Sequence, residues 1–476
     1  MSSHGMKSKT RKKMVIISSY FAGEKYGLLG PQMAATVIQE NTSFDCVVIA
    51  LSREDDKAVL KKAMKEHFGN EKPVIGFSTL SGRQDLFELA KDLKEEGAIT
   101  ILAGPQADVD YRGEKDWQDH PHRFRGLAEN FSFSMHGPAE QAVDLLKNLN
   151  GDKWRETPGL IYIGKDGRLN QNPKKAWNER FLGKVRWNNL YRVGEAGLSP
   201  IHIDTGQVLQ HIGCPYAARR RRVAVDYPAS LDKEREKKVV LSLKGCSFCD
   251  VAVDKGFVGA LSMETVLAQI DCLPEAQDGK KKPFELINEN PLPGLRRLLL
   301  EVIERGIRLT QINLILRADW FLKGARYLRE ALRLASDMGI RIVVTSMGFE
   351  SFADRILKNL NKGLSVETNM KAIELMRRIK EEFPRQWGYS RMEGAIHGFI
   401  HPTPWDTQET SETIQKVIAR YDLAPDILPE HSIPLIIHHA SGLGDWIREI
   451  EMKEKARFKR DVTIIGWWQL GDRFIL

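Results

Sequence analysis

The residues of this chain best suited to metal chemistry are two cysteines in the stretch LSLKGCSFCD, Cys246 and Cys249. Such a C-x2-C pair binds zinc or an iron–sulfur cluster through its thiolates, once further ligands complete the site. The sequence contains no second C-x2-C pair. An isolated cysteine must therefore complete the site, and the two candidates are Cys214 in HIGCPYA and Cys272 in AQIDCLPE.

The cysteine count argues against a disulfide framework. Five cysteines in 476 residues are few and odd in number, which is typical of a protein from a reducing compartment. The N-terminal MSSHGMKSKTRKK lacks the apolar core of a signal peptide, and no apolar run approaches the ~20 residues that span a bilayer. We therefore expect a cytoplasmic protein without a membrane partner, in which Cys46 belongs to a buried strand.

The cysteine pattern resembles the cluster motif of radical S-adenosylmethionine enzymes, GCP-x-x-C-x-F-C, because GCPY at Cys214 is followed by C-x-F-C at Cys246. The resemblance implies a 4Fe–4S cluster held by Cys214, Cys246 and Cys249, with one iron open for S-adenosylmethionine and Phe248 shielding the cluster. Here 31 residues, 215–245, separate the first two cysteines, where the family has three. This longer loop costs roughly 2 kcal/mol in closure entropy, which is small beside thiolate–iron bonding.

Further segments resemble the same family. The stretch VTSMGFESFADRILKNLNKG matches the family's segment with G-x-E-S followed by D-x-x-L-x-x-L-N-K-G, and INLILRADWF matches its arginine-bearing strand. The stretch FELINENPLPG stands where the family has a strand that ends in GGE, with asparagines in place of the glycines. The resemblance implies that Glu289, Arg317 and either Ser346 or Glu350 face S-adenosylmethionine. The alternative for Glu350 is that it caps the following helix together with Ser351.

The first part of the chain resembles a cobalamin-binding domain. KYGLLGPQMAATVIQ matches the helix that opens such domains, GFSTLSGRQDLFELAKDLKEEGAITILAGPQA their central strand–turn–helix–strand unit, and HGPAE their G-E-G-E turn. Small residues at these turns let the backbone approach a flat corrin and its nucleotide tail. The resemblance places cobalamin against Ser78, Leu80, Gly82, Gly104, Pro105, Gly137 and Glu140.

The cobalt ligand is where the chain departs from many corrinoid proteins. The loop SSYFAGEKYG after the first strand carries no histidine, so we expect the cobalt to lack a lower histidine ligand from this domain. The alternative is a flavodoxin-like domain that binds no cobalamin.

These candidate sites must be positioned by strands and helices that alternate along the chain. Strand patterns at 14–21, 46–52, 73–81 and 98–106, with helical patterns such as 27–39 between them, predict a parallel sheet with crossovers. Ligands of such sheets lie beyond the carboxyl ends of the strands. A second block contains the strand patterns VLQHIG, KVVLSL, FELINE, QINLIL, RIVVTSMGF, GAIHGFIH and IPLIIHHA, which suit a full or partial β/α barrel.

The predicted fold class is therefore α/β. It combines an N-terminal flavodoxin- or Rossmann-like cobalamin-binding domain with a partial (β/α)6 radical S-adenosylmethionine barrel. The predicted segments are a basic tail 1–13, the cobalamin-binding domain 14–150, a linker with a β-hairpin 151–206, the barrel 207–445 with an inserted basic loop 215–245, and a C-terminal extension 446–476.

The positive charge of the chain is concentrated in two segments. The net charge is +8, and residues 1–13 and 215–245 each contribute an excess of five basic residues, which leaves the rest slightly acidic. A nucleic-acid partner is not expected, since such partners are more often bound by a basic face spread over a fold. The basic insertion is suited to an acidic partner, so a protein or peptide substrate is favoured.

Together the two resemblances imply a cobalamin-dependent radical S-adenosylmethionine methyltransferase. Its cofactors would be a 4Fe–4S cluster, S-adenosylmethionine and methylcobalamin, and an external one-electron reductant would be its partner. It would place a methyl group on an unactivated carbon, for example of a residue in methyl-coenzyme M reductase. Two alternatives stay open: a non-methylating radical enzyme, such as a cyclase or an enzyme that rearranges its substrate, and a non-catalytic corrinoid or iron–sulfur carrier.

Overall fold

The computed structural model describes residues 11–79, 82–231, 236–249, 257–428 and 432–467. The chain forms two compact units. The first contains Met1–Arg112 and Gly126–Ile203, and the second contains Gly113–Arg125 and Asp204–Leu476. Within the described ranges, no helix has both the length and the apolar character needed to cross a membrane.

The first unit is built on a nine-stranded sheet with a flavodoxin-like centre. Five parallel strands lie in the order Phe133–Met135, Ile99–Ala103, Val74–Ser78, Lys12–Ser19 and Phe44–Leu51. Its helices are Leu29–Asn41, Lys57–Phe68, Gln84–Glu95, Ala107–Arg112 and Gln141–Asn148. The central strand is buried from Met14 to Ser19, as expected for a parallel strand covered on both faces. The predicted fold class is confirmed for this unit.

The segment predicted as a linker, 151–206, completes the edges of this sheet. On one side Leu160–Ile163 and Leu169–Gln171 add as antiparallel strands. On the other side Leu190–Gly194 adds parallel to Phe44–Leu51 and is followed by Gly197–Pro200. The segment joins the sheet because its apolar side chains need burial and because unpaired strand edges expose backbone polar groups.

The second unit contains a partial β/α barrel. Its parallel strands follow the order Gly206–Leu209, Phe284–Ile287, Gln311–Leu316 and Arg341–Glu350, and the last of these pairs with both Trp387–Gly388 and Gly398–Phe399. The helices are Met263–Asp271, Leu292–Glu304, Ala318–Met338, Asp354–Asn359, Val366–Glu382, Gln408–Arg420 and Gly442–Glu454. These six strands agree with the predicted partial barrel.

Two predicted barrel strands lie elsewhere. KVVLSL falls in Lys238–Lys244, which pairs antiparallel with Arg220–Asp226 to form a hairpin. Its residues alternate between buried and exposed, which is typical of a strand covered on one face, whereas a barrel strand is buried on both. IPLIIHHA contains a short strand, Ile436–His438, that pairs antiparallel with Ile464–Trp467. The predicted boundary at 445 falls inside the helix Gly442–Glu454.

Short elements connect the larger ones. Antiparallel strands His211–Gly213 and Phe257–Ala260 form a two-stranded sheet. The 3-10 helices are Lys153–Glu156, Glu179–Phe181, Pro215–Ala217 and Arg391–Glu393.

Candidate functional site

The predicted cluster and S-adenosylmethionine residues follow the carboxyl ends of neighbouring barrel strands. Cys214 comes after Gly206–Leu209 and the short strand that follows it, and Glu289 comes two residues after Phe284–Ile287. Arg317 directly follows the third strand, and Glu350 is the last residue of the fourth. Because carboxyl ends of parallel strands meet at one edge, these residues lie where a barrel binds its ligands.

The loop with the C-x2-C pair is held by backbone and hydroxyl hydrogen bonds. The Cys249 N–H donates to the Cys246 carbonyl at 3.3 Å, which makes the pair a tight turn. Ser247, fully buried between the cysteines, donates its hydroxyl to the Asn359 carbonyl at 2.8 Å and its N–H to the Leu360 carbonyl at 2.9 Å. The segment that supplies these carbonyls therefore determines where the thiols lie.

The N-K-G part of that segment makes the closest contacts to the cysteine loop. Asn361 has a positive φ of 47°, and its side-chain amide donates to the Gly245 carbonyl at 2.7 Å. The Tyr216 hydroxyl donates to the Asn361 carbonyl at 2.9 Å. A Cβ on Gly363 would lie only 2.6 Å from that hydroxyl, at a φ of +68°. The motif therefore packs the segments that carry Cys214 and Cys246 against each other.

Two of the thiols, those of Cys214 and Cys246, are half-buried and share one charged environment. Burial raises the pKa of Cys214, and the nearby Glu289 and Cys246 charges raise it further. Burial also raises the pKa of Cys246, while Lys362 and Arg317 act in the opposite direction. Arg317 places Nη1 4.0 Å from the Cys246 sulfur. Thiolates at such a position need a metal or cations to balance their charge, and the sulfur donors suit an iron–sulfur cluster.

The other cysteines lie apart from this site. Cys272 ends the helix Met263–Asp271, beside Lys281, whose ammonium donates to the Asp271 carbonyl at 2.9 Å. This position precedes the strand Phe284–Ile287 and therefore lies at the edge where the barrel strands begin. Cys46 is buried in the first sheet, as predicted from the sequence, and burial raises the pKa of its thiol. Cys214 is thus the cysteine that the fold brings to the C-x2-C pair.

A buried ion pair lies next to the cysteines. The Lys362 ammonium donates to Glu350 Oε1 at 2.7 Å, and the two side chains are only 8% and 11% exposed. The helix-cap alternative is wrong for Glu350, since its carboxylate is directed to Lys362. Ser351 does accept a hydrogen bond from the Ala353 N–H at 3.2 Å, just before the helix Asp354–Asn359.

The strand end that departs from the GGE motif is organised by side chains. Asn288 donates its amide to Gln210 at 2.8 Å and accepts from the Asn290 N–H at 2.9 Å. Burial raises the pKa of Glu289, and Lys362 and Arg317 oppose that rise. Glu289 therefore belongs to the same electrostatic cluster as the thiols, although its neighbours are not glycines.

Three other predicted contacts stay predictions. Phe248, in the cysteine loop, and Ser346, inside the strand Arg341–Glu350, are both half-buried. Arg317 is 4% exposed, and its guanidinium donates to the Lys362 carbonyl at 2.7 Å and to Asp319 at 3.2 Å.

In the first unit, the predicted cobalamin residues lie at the carboxyl ends of the central strands. Ser78 ends one strand, and Gly104 and Pro105 follow its neighbour. Gly104 is exposed with a φ of +117°, and a Cβ there would lie 3.5 Å from the Ser78 hydroxyl. Gly82 has a φ of +78°. Leu80 lies outside the described residues. Small residues therefore line the described part of this edge, as the approach of a flat ligand requires.

The HGPAE turn is packed against the segment that follows the edge hairpin. Gly137 has a φ of +110°, and a Cβ there would lie 2.7 Å from the Gln141 amide nitrogen. Glu140 accepts a hydrogen bond from the Asn178 N–H at 3.2 Å, and burial raises its pKa. Glu140 therefore has a structural partner, and its contact with cobalamin stays a prediction.

Three further residues, Tyr216, Asn361 and Lys362, belong to the barrel site but were not predicted as site residues from the sequence. All three lie inside the quoted GCPY and L-N-K-G motifs, so the motif itself was the available signal. A lysine flanked by asparagine and glycine also indicates a turn with positive φ, which could have suggested a constrained loop.

Among the comparisons with known proteins, only the comparison with solved structures finds similar proteins. No family model matches the sequence, and no curated protein matches it. Three solved structures of OxsB, a cobalamin-dependent S-adenosylmethionine radical enzyme, share its fold. The structure with aqua-cobalamin and S-adenosylmethionine bound has a TM-score of 0.60 at 12% identity and covers 95% of this chain. The structure with aqua-cobalamin bound has a TM-score of 0.60 at 12% sequence identity and covers 96% of this chain. The apo structure has a TM-score of 0.55 at 13% identity and covers 95% of this chain. This chain spans 64% of the length of those proteins.

Proposed function

We propose that this protein is a cobalamin-dependent radical S-adenosylmethionine enzyme. The observation that carries the proposal is the meeting of Cys214 and the C-x2-C loop beside Arg317, at the carboxyl ends of a partial barrel. The fold shared with OxsB supports it, because that protein has been solved with aqua-cobalamin and S-adenosylmethionine bound. The first unit, with small residues such as Ser78 and the exposed Gly104 at the ends of its strands, would hold the cobalamin.

The residues fit the cofactors in the following way. Cys214, Cys246 and Cys249 would hold three irons of a 4Fe–4S cluster. When bound, the cluster and S-adenosylmethionine supply a 5′-deoxyadenosyl radical, and cobalamin supplies a methyl group. The half-buried Glu289 carboxylate would accept a hydrogen bond from the amino group of S-adenosylmethionine. Arg317 would balance negative charge at the Cys246 sulfur, from which its Nη1 is 4.0 Å away.

The proposed reaction is methyl transfer to an unactivated carbon. A non-methylating radical reaction, such as a cyclisation or rearrangement, is the second candidate, because the same cofactors would serve it. Product mass separates the two: methyl transfer adds one methyl group, and a cyclisation or rearrangement does not. The substrate class, for which the sequence favours a protein or peptide, stays a prediction.

Cysteine variants test the cluster assignment. After anaerobic reconstitution, Cys214→Ala and Cys246→Ala should lose iron and the iron–sulfur absorbance. The matched control is Cys272→Ala, which removes a thiol at the opposite end of the barrel strands and should retain both. A Cys214→Ala variant with full absorbance would contradict the assignment. Loss of the cluster in Cys272→Ala would identify Cys272 as the third ligand.

Turnover is tested with S-adenosylmethionine and a chemical reductant under anaerobic conditions. The cluster-loaded protein should produce 5′-deoxyadenosine, and the cysteine variants should not. If the loaded wild-type protein forms none, the enzyme proposal fails and the carrier interpretation gains. Cobalamin binding is measured separately by titration of the full chain, where Gly104→Val should weaken uptake by placing a branched side chain at a positive φ beside Ser78.

A further inference from the structure

The parallel strands of the partial barrel leave their inner face half-buried. Side chains along a strand alternate between two faces, and those directed to the barrel helices are fully buried, as for Phe284, Leu286 and Ile312. The half-buried side chains of the opposite, inner face are Gln207, Leu209, Glu285, Ile287, Gln311 and Ile315. A barrel interior is usually filled with packed apolar side chains. An inner face that is half-buried and partly polar is therefore accessible to a ligand.

Three polar side chains lie side by side on this inner face. The sheet register pairs Gln207 with Glu285 and Glu285 with Asn313, and residues paired across neighbouring strands direct their side chains to the same face. Gln207 Nε2 donates a hydrogen bond to Glu285 Oε1 at 3.4 Å. We call Gln207, Glu285 and Asn313 the polar layer of the barrel.

Glu285 has no cation to balance its charge. Among the residues that the structure describes, no lysine, arginine or histidine forms an ion pair with its carboxylate, which accepts a hydrogen bond from the neutral Gln207. Burial raises the pKa of Glu285, the Gln207 hydrogen bond lowers it, and the Glu289 charge raises it again. At Glu289 the same effect of burial is opposed by Lys362 and Arg317. Because a desolvated carboxylate needs a compensating charge, Glu285 favours a cationic ligand.

Asn313 brings a second group that lacks a partner. The residue is 8% exposed, and its Oδ1 accepts a hydrogen bond from Gln311 Nε2 at 2.7 Å. The Gln311 Oε1 in turn accepts from Arg341 Nη1 at 3.3 Å, which sets the orientation of both amides. Within the described ranges, the NH2 group of Asn313 donates to no acceptor. A polar group with so little exposure is normally hydrogen-bonded, so this NH2 group is available to an oxygen atom of a ligand.

We propose that the polar layer binds a substrate that carries a guanidinium or ammonium group. Glu285 would pair with that cation, and the Asn313 NH2 group would donate to an oxygen atom of the same substrate. This inference rests on the proposed function, because it names the chemical class of the molecule on which the barrel site acts. A cation is favoured over a neutral group because Glu285 lacks a counter-charge of its own.

The position of the polar layer suits a substrate that enters the barrel with its cationic end first. Glu285 precedes Glu289 by four residues, and four residues of extended chain span about 13 Å. Glu289 is the residue proposed to hold the amino group of S-adenosylmethionine. The cation would therefore be bound deep in the barrel, and the carbon atoms of the substrate would lie between it and the cofactor.

The test uses butylguanidinium and butylurea, two probes of the same shape of which only the first is charged. Their binding to the cluster-loaded full chain is measured by anaerobic calorimetry without a reductant, so that no turnover contributes. Butylguanidinium should bind wild type at least about tenfold more tightly than butylurea, because only the charged probe can pair with Glu285.

The variant Glu285→Gln keeps the shape of the side chain and removes its charge. It should weaken butylguanidinium binding by about tenfold or more and leave butylurea binding unchanged. The matched control Glu304→Gln removes a carboxylate at an exposed position of the helix Leu292–Glu304 and should match wild type with both probes.

Urea unfolding gives a second readout that a structural role of Glu285 would not produce. Without a ligand, Glu285→Gln should unfold at a higher urea concentration than wild type, since it removes an uncompensated charge. Butylguanidinium should raise the unfolding midpoint of wild type and not that of the variant, because a ligand stabilises the state that binds it. The iron–sulfur absorbance identifies the transition of the barrel.

Other outcomes overturn the proposal. Equal affinities of wild type for the two probes would mean that the polar layer binds a neutral group. No saturable binding of butylguanidinium, or equal weakening by Glu304→Gln, would remove the site. A Glu285→Gln variant less stable than wild type would assign Glu285 to the folding of the barrel.

Failure of the proposed function appears differently. A cluster-loaded protein that binds butylguanidinium but forms no 5′-deoxyadenosine would refute the proposed function. Formation of 5′-deoxyadenosine without binding of butylguanidinium would overturn this inference alone.

Discussion

The buried pair Lys362–Glu350 offers the sharpest test of how the barrel site is held together. Its Nζ and Oε1 are 2.7 Å apart, with side chains 8% and 11% exposed, so neither charge is well solvated. Removing one partner leaves the other buried and uncompensated, which costs about 3–5 kcal/mol. We therefore expect Lys362→Met to destabilise the second unit by that amount, and Lys362→Met/Glu350→Gln to recover part of the loss because the glutamine is neutral.

A double-mutant cycle measures the coupling. Urea unfolding of the anaerobic, reconstituted protein is followed by circular dichroism and by the iron–sulfur absorbance, which identifies the transition of the barrel. The control cycle uses Lys371→Met and Glu367→Gln, an exposed pair one helical turn apart with side chains 61% and 76% exposed, whose coupling should be far smaller because water screens both charges. The reasoning is refuted if Lys362→Met costs no more than Lys371→Met, or if the double variant equals the sum of its singles.

Two further predictions follow from side chains that hold the second unit together. Glu114 is buried and bonded to Arg460 at 2.9 Å; despite the opposing effect of burial, hydrogen bonds and charge from Arg460 lower its pKa from 4.5 to about 2. At about 1.4 kcal/mol per pH unit, the lowered pKa of Glu114 stabilises the folded state by about 3 kcal/mol at pH values above the ordinary pKa of a glutamate. This stabilisation is lost as the pH falls from the ordinary pKa towards 2. In the Glu114→Gln variant, the free energy of unfolding should depend less on pH over that range, as measured by unfolding at several pH values. The substitution Asn361→Ala removes the hydrogen bond to the Gly245 carbonyl and should lower the stability of the site by about 1–3 kcal/mol. A chelator should therefore remove iron faster from this variant than from the control Asn41→Ala.

Much of the fold was predictable because the signals are local. The apolar runs that alternate with helical patterns indicated both parallel sheets, and their carboxyl ends are where the candidate residues lie. KVVLSL shows the limit of such signals. Its alternating pattern indicates a strand, but only the partner Arg220–Asp226 determines that it belongs to a hairpin outside the barrel. Likewise, the segment 151–206 has strand patterns, and only the free sheet edges decide where they pair.

By itself, the sequence predicted the kind of chemistry, through three cysteines in a split form of the cluster spacing and glycine-rich turns after the strands of a separate α/β block. Only the tertiary structure shows which side chains surround these cysteines, and it places Cys214 and Cys246 close enough for their charges to interact. Asn361 and Gly245 are 116 positions apart, and the electrostatic cluster of Cys246 draws on Glu289, Arg317 and Lys362 from three different strand ends and loops. Pairing of this kind depends on distance in space, because burial and charge act through proximity and not along the chain.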